Sequence, residues 1–118
     1  MKHEFGKTIV LKLGGSIVYP QEIDVQFLKS FRLLILNQVR RYKRRFVIVV
    51  GGGKICRVYQ DAAGKIVRVT NEDKDWIGIH TGRTNGHLLR TIFREEADPV
   101  VLDMRGKIKK LRYPVTIA

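Results

Sequence analysis

Residues 47–57 read VIVVGGGKICR, and residues 8–16 read TIVLKLGGS. Each stretch starts with aliphatic, mostly β-branched residues and runs into consecutive glycines. The aliphatic parts read as buried strands, Thr8–Leu13 and Arg45–Val50. The glycines let backbone N–H groups reach a ligand with no Cβ in the way. A helix opening just after them adds further N–H donors and a partial positive charge, which makes phosphate the natural ligand. The plainer alternative is that the glycines only make tight turns, and for one loop the two readings stand level. Two such loops at the same end of neighbouring parallel strands favour a ligand, because open α/β sheets bind at the carboxyl ends of their strands.

The segment between the two strands reads as one helix. Pro20 breaks the chain and Asp24 is placed to cap the helix start. Leu28, Phe31, Leu34/Ile35, Val39 and Tyr42 follow at three-to-four spacing and lay one apolar stripe on the sheet. Arg40, Arg41, Lys43, Arg44 and Arg45 crowd the far end, where cations suit the helix dipole. Strand, loop, helix, strand, loop predicts a parallel pair joined by a right-handed crossover.

Beyond the second loop the spacing predicts a short helix over residues 54–63, ended by Gly64. The stretch GKIVRVTNED, residues 64–73, reads as a connector or a hairpin. A longer helix is expected over residues 73–93, with Gly78, Gly82 and Gly86 on one face. Each costs about 1 kcal/mol against alanine, so a neighbouring backbone or a ligand should approach there. Pro99 opens a strand over residues 100–103, RGKIKKLR reads as a turn and an exposed basic segment, and YPVTIA reads as a final strand. There is no internal repeat, low-complexity tract or linker.

Composition bounds the function. With 118 residues and 44% hydrophobic content the chain suits one folded domain. No apolar run approaches the roughly 20 residues of a membrane span. The start, MKHEFGK, lacks the apolar stretch of a secretory signal, and the single cysteine, Cys56, excludes an internal disulfide framework. A cytoplasmic protein without membrane partners is expected. Lys and Arg number 23 against 11 Asp and Glu, a formal charge of +12. Such a charge favours anionic partners, whether nucleotides, nucleic acid or an acidic surface.

Two familiar phosphate motifs fail. GKT at Gly6–Thr8 precedes a strand and has Met1 where a Walker loop needs glycine, and GGGK is followed by Ile55 in place of Ser or Thr. The dinucleotide fingerprint has Cys56 at its third glycine. Lys12 stands out because it interrupts an apolar strand two positions before Gly14. It is either an edge-strand lysine facing water or a lysine that reaches past the strand end to a transferring phosphoryl group. Ser16 either donates its hydroxyl there or caps the next turn. Cys56 has no histidine at a diagnostic spacing and reads as a small apolar residue. His3, His80 and His87 form no zinc pattern, and no metal-ligating set is expected.

KLGGS, VIVVGGGKICR and DWIGIHTGRTNGHLL (residues 75–89) together resemble the amino acid kinase family, and within it the archaeal-type uridylate kinases. The resemblance implies an α/β fold, a three-layer αβα sandwich around a mainly parallel sheet. It covers the family's N-terminal half, so residues 1–118 are expected to form a single phosphoryl-acceptor-binding domain, with the ATP-binding half absent. The implied reaction is phosphoryl transfer from ATP, with Mg2+, to UMP or a related small phosphate acceptor, a step of pyrimidine nucleotide biosynthesis. Lys12 would neutralise transferring phosphates. Gly14, Gly15 and Ser16 would bind the donor phosphates. Gly51, Gly52, Gly53 and Lys54 would cradle the acceptor, Arg57 would hold its α-phosphate, and Asp75 would accept from its ribose beside a permissive Gly78. Gly82 and Gly86 depart from the family's usual threonine and alanine. The implied assembly is a homo-oligomer or a pair completed by a complementing C-terminal half.

Two further readings stay open. Asp75 by itself reads as a surface carboxylate near a helix start, and Trp76 and Ile77 read as core. RRYKRR, residues 40–45, is a solvated helix end or a nucleic-acid patch. The alternatives to an enzyme are a non-catalytic basic module and a regulatory or assembly subunit that a partner chain completes along an open sheet edge.

Overall fold

The computed structural model describes residues 6–102 and 111–118. Strand β1 (Thr8–Leu13) leads into a single turn of helix, α1 (Gly15–Val18). Helix α2 (Val25–Tyr42) and strand β2 (Arg45–Val50) follow. Helices α3 (Gly53–Gly64) and α4 (Asn71–Ile92) come next, and β3 (Val115–Ile117) closes the sheet. The strands lie in the order β1-β2-β3 and both pairings are parallel. The register sets Ile9 beside Phe46, Leu11 beside Ile48 and Leu13 beside Val50. A parallel sheet with packed helices is consistent with the expected αβα fold, and among the described residues the helices cover one face of it. No described helix is long and apolar enough to cross a membrane.

Local chemistry accounts for the ends of α2. The Asp24 carboxylate accepts from Phe27 N at 3.0 Å, which satisfies one of the free amides of the first turn. Lys43 takes the left-handed conformation at φ 50 and its N–H donates to Gln38 O, which closes the helix. Arg44 and Arg45, just beyond the helix, bond within the chain, and Arg40 in its last turn is exposed with a distant acidic neighbour. Arg44 donates to the Gln38 side chain and lies 4.9 Å from the centre of the Tyr42 ring. Arg45 donates to Leu111 O at 2.7 Å, and Arg40 comes within 3.9 Å of Glu96.

One face of the sheet carries the core. Ile9, Leu11, Leu13, Phe46, Ile48, Val50, Val115 and Ile117 pack against Leu28, Phe31, Ile35, Leu36 and Val39 of α2, and against Leu88, Leu89, Ile92 and Phe93 at the end of α4. Helices α2 and α4 share this side of the sheet and meet. The Phe31 and Phe93 rings stand edge to face at 6.1 Å, and Arg32 Nε donates to Ile92 O at 3.0 Å. Each fully buried side chain here, such as Leu89 or Phe93, contributes about 1.5–3 kcal/mol. The opposite face holds Thr8, Val10 and Lys12 of β1 and Val47 and Val49 of β2. Val10 is 67% exposed and the β2 valines are half-buried.

Several expectations change. Among the described residues β1 pairs only with β2, and its alternate positions are exposed, so the expected burial holds there on one face only. Leu34 and Tyr42 point outward at 56% and 54% exposure while Leu36 is buried, so the apolar stripe of α2 is rotated from its expected line. Residues 64–73 form no hairpin. The chain turns after Lys65, and Thr70 starts α4 through a reciprocal box: Thr70 Oγ1 accepts from Asp73 N, and Asp73 Oδ2 accepts from Thr70 N, each at 3.1 Å. Trp76 is exposed and stacks on His80, with ring centres 6.1 Å apart, so it is no core residue. Residues 100–102 are not a strand. Asp98 Oδ1 accepts from Val100 N and bends the chain, leaving one bridge from Ala97 to Val115 and a bond from Leu102 N to Ile117 O. Asp103 and most of RGKIKKLR, like His3, lie outside the described residues.

Candidate functional site

The two glycine loops meet, backbone against backbone. A Cβ on Gly15 would stand 2.4 Å from Gly53 N and 2.5 Å from Gly51 O, and one on Gly53 would stand 2.2 Å from Gly15 C. Gly53 also has φ +57, which a side chain disfavours. These two glycines are therefore required by the mutual packing of the loops. Gly52 is required by α4, because its Cβ would fall 2.1 Å from Thr81 Oγ1. Gly51 differs: nothing lies within 4 Å of the place its Cβ would take, and it is exposed. Gly14 faces only the side chain of Ile17. The open glycine positions of the two loops are thus Gly14 and Gly51.

Helices α3 and α4 run antiparallel and keep step, one turn for one turn. Gln60 Nε2 donates to Lys74 O at 3.1 Å, a Cβ on Gly78 would lie 3.7 Å from Cys56 Sγ, and one on Gly82 would lie 3.6 Å from Gly52 N. At Gly78 and Gly82 a Cβ would meet only ordinary van der Waals contact, so the close approach anticipated from the glycine spacing does not require glycine at either position. Gly78 is half-buried, with Cys56 Sγ as its neighbour across the helix interface. Gly86 continues the face onto Val101, Ile117 and Val50.

Asn85 holds the second loop from below. It is buried, and its Nδ2 donates to Gly51 O at 2.9 Å and to Gly52 O at 3.4 Å. The loop is thereby fixed with its carbonyls turned toward α4. The sequence reading left Asn85 without a role. The signal available was a polar side chain on the glycine face of a helix, where only a partner offsets its burial.

The remaining candidates surround this junction. Arg57, one turn into α3, donates to Ser16 Oγ at 3.0 Å, so a residue assigned to the donor loop touches one assigned to the acceptor. Lys54 is half-buried in the first turn of α3. Lys12 is exposed at the register position opposite Val49, two residues before Gly14. Its surroundings are those of an edge-strand lysine, at the mouth of the glycine loops. Asp75 is exposed, seven residues before Gly82, which at 1.5 Å per residue places it about 10 Å along α4 from the loop. At the junction Arg57 meets Ser16, Lys54 lies in the first turn of the 12-residue α3, and Lys12 lies two residues before Gly14. No described carboxylate lies in either glycine loop, and the described residues contain no group of three or more metal-ligating side chains.

This sequence pattern is shared. The model of the amino acid kinase family matches residues 7–109. The chain belongs to the amino acid kinase family. Among curated members, this kinase-family chain is 37% identical over 94 residues to the uridylate kinase of Thermococcus gammatolerans. That match covers 80% of this chain and 40% of that protein. It is 39% identical over 100 residues to the uridylate kinase of Thermococcus sibiricus, covering 82% and 42%. The crystal structure of uridylate kinase from Archaeoglobus fulgidus shares its fold at a TM-score of 0.71 and 24% identity, over 95% of this chain and 50% of that one. This family member thus spans about 40% of the length of the curated relatives it matches.

Proposed function

We propose that this chain is the acceptor-binding half of a uridylate kinase-like phosphotransferase, one domain that takes UMP and presents it for transfer of the ATP γ-phosphoryl group. The observation that carries the reading is the contact of the two glycine loops at the carboxyl ends of β1 and β2, bridged by Arg57 and Ser16. In the proposed step an oxygen of the UMP phosphate attacks the γ-phosphorus of ATP. The bond from that phosphorus to the β–γ bridging oxygen breaks, and ADP and UDP form. Such a transfer asks mainly for positioning and charge neutralisation.

The residues fit those tasks. Gly51, Gly52 and Gly53 with Lys54 surround the acceptor phosphate, using the amino end of α3, and Arg57 pairs with it. Asp75 accepts from the ribose, and Gly78 shapes α4 next to it by admitting Cys56. Gly14, Gly15 and Ser16 face the donor phosphates, and Lys12 offsets the charge that moves between donor and acceptor. ATP supplies the phosphoryl group when bound. Mg2+ finds no carboxylate cage in these loops, so it would arrive on the donor phosphates. On this reading the adenosine of ATP would be held by the part of the fold that this chain does not span. A cytoplasmic place in pyrimidine nucleotide biosynthesis follows from the same reading.

Calorimetric titration with UMP tests it, with AMP and a short RNA as controls. Selective UMP binding that Arg57→Ala weakens at least tenfold is expected. Lys12→Ala should leave UMP binding close to unchanged and lower turnover when a donor half is supplied. UMP affinity untouched by Arg57→Ala would sink the acceptor assignment. The +12 charge favours a second reading, a basic nucleic-acid module. Against it, Arg44 and Arg45 are engaged with the chain's own atoms. Salt-sensitive RNA binding without UMP binding would reverse that choice.

A further inference from the structure

The main chains of the two glycine loops meet at Gly15 and Gly53, and a side-chain bond crosses between them just beyond that contact. Ser16 follows Gly15 directly, and Arg57 stands about one helical turn after Gly53. Arg57 Nη2 donates to Ser16 Oγ at 3.0 Å, across 41 positions of sequence.

The two ends of this bond are held very differently. Ser16 belongs to the turn α1, which Val18 anchors in the core at 0% exposure. The main chain of that turn is closed on itself: Ile17 N and Val18 N donate to Gly14 O, and Tyr19 N donates to Gly15 O. Gly15 is in turn locked against Gly53. The hydroxyl of Ser16 is therefore a short group on a fixed base. Arg57 is exposed, on a long flexible stem that loses much rotamer freedom when it is ordered. A ligand that pairs with a free arginine must bear that ordering cost, and a contact that orders the arginine beforehand removes part of it. The bond to Ser16 is such a contact. The guanidinium keeps further N–H donors, and a phosphate can take them in the bidentate manner.

We propose that Ser16 is a positioning residue for Arg57, so that a hydroxyl on the first glycine loop sets the affinity of the second for a phosphate-bearing acceptor. The inference rests on the proposed acceptor reading and deepens it. Ser16 also faces two ways. Its oxygen accepts from Arg57 while its own proton remains for a phosphate on the first loop. Hydrogen bonds in such a chain polarise one another in the same sense. An arginine ordered by the acceptor leaves Ser16 a better donor, so occupancy of one loop is felt in the other. The message travels through side chains, beside a main-chain contact that stays fixed.

The test is calorimetric titration of UMP into the 118-residue chain and into Ser16→Ala, Ser16→Thr, Arg57→Ala and the double variant Ser16→Ala/Arg57→Ala. NMR relaxation of the Arg57 Nε–H is recorded on the same proteins that retain the arginine, without ligand. Ser16→Ala should weaken UMP binding about threefold to tenfold, the size of one net hydrogen bond, and leave Arg57 more mobile. Ser16→Thr keeps the hydroxyl and should restore both. On the Arg57→Ala background, removing the serine hydroxyl should weaken UMP binding no further. Unchanged UMP affinity in Ser16→Ala, with Arg57→Ala still weakening it, would overturn the positioning role and leave the acceptor site standing. Losses that multiply in the double variant would also overturn it, because Ser16 would then act on UMP without Arg57. So would a loss that Ser16→Thr fails to restore. UMP affinity indifferent to both residues would remove the acceptor reading and this inference together.

Discussion

Replacing Asn85 by aspartate changes one nitrogen to oxygen and inverts the polarity of the support beneath the second glycine loop. The asparagine is 4% exposed and donates to two carbonyl oxygens, at 2.9 and 3.4 Å. Two lost hydrogen bonds cost about 1–2 kcal/mol together, since one is long and Gly51 can turn to water. The new carboxylate faces two carbonyl oxygens in a buried position, and a rise of about 3 pH units in its pKa adds about 4 kcal/mol at neutral pH. Asn85→Asp should therefore lose about 5–6 kcal/mol at pH 7 by these increments, a large share of the 5–15 kcal/mol typical of a domain. Asn85→Ala, which leaves a small cavity and no charge, should lose about 1–3 kcal/mol. The sign with pH is definite. A carboxyl whose folded pKa is raised destabilises above its unfolded pKa, so the gap between the variants closes as pH falls toward about 4. Urea unfolding of both variants at pH 7 and pH 4.5 measures this. Equal stability of the two at pH 7 would refute the claim that a donor is required at this position.

Three further outcomes are expected. Gly53→Ala should destabilise by several kcal/mol or prevent folding, because it combines positive φ with a 2.2 Å backbone clash, while Gly51→Ala should unfold at the parent midpoint and lose UMP affinity; thermal unfolding and calorimetry on both separate folding from binding. Ser16→Ala removes the hydroxyl that holds Arg57, so stability should stay within about 0.5 kcal/mol while NMR relaxation finds the Arg57 guanidinium more mobile. The Thr70 amide and hydroxyl hold the Asp73 carboxyl below its ordinary value of 3.8. That contribution is present above pH 3.8 and is lost as pH falls through the lowered value, so amide exchange at the start of α4 should accelerate there in the parent and not in Asp73→Asn.

The glycine loops, both long strands and the Asp24 cap were legible because each depends on residues within a few positions. β-Branched runs, glycines and a capping carboxylate act locally. The start of α4 was also locally encoded: Thr70 and Asp73 stand at capping-box spacing, and the hairpin reading passed over them. Other features depend on neighbours. Leu34 and Leu36 are equally apolar, and which of them is buried depends on how α2 packs in the core, where Phe31 meets Phe93 and Arg32 meets Ile92 O. A parallel edge strand and a central one share the same aliphatic letters, so the exposure of Val10 could not be read. Trp76 is exposed at the rim of a groove it lines with Ile55 and Tyr59 of α3, a placement that depends on helix packing and not on its own letter. In the site, the grouping of the loops followed from topology. The reason for each glycine did not, since Gly15 and Gly53 serve one another and only the packed backbone reveals it.

The contact between Gly15 and Gly53 also fixes a length. It joins the loops through main-chain atoms, with no side chain between them to lengthen or shorten. Whatever the two loops hold, the separation of the two bound groups is then a property of the peptide geometry and not of any replaceable residue. Substitutions around the rim can alter which molecules enter. They cannot readily retune the reach of one across to the other. A catalyst built on this junction would diversify its choice of acceptor far more easily than the distance over which it reacts.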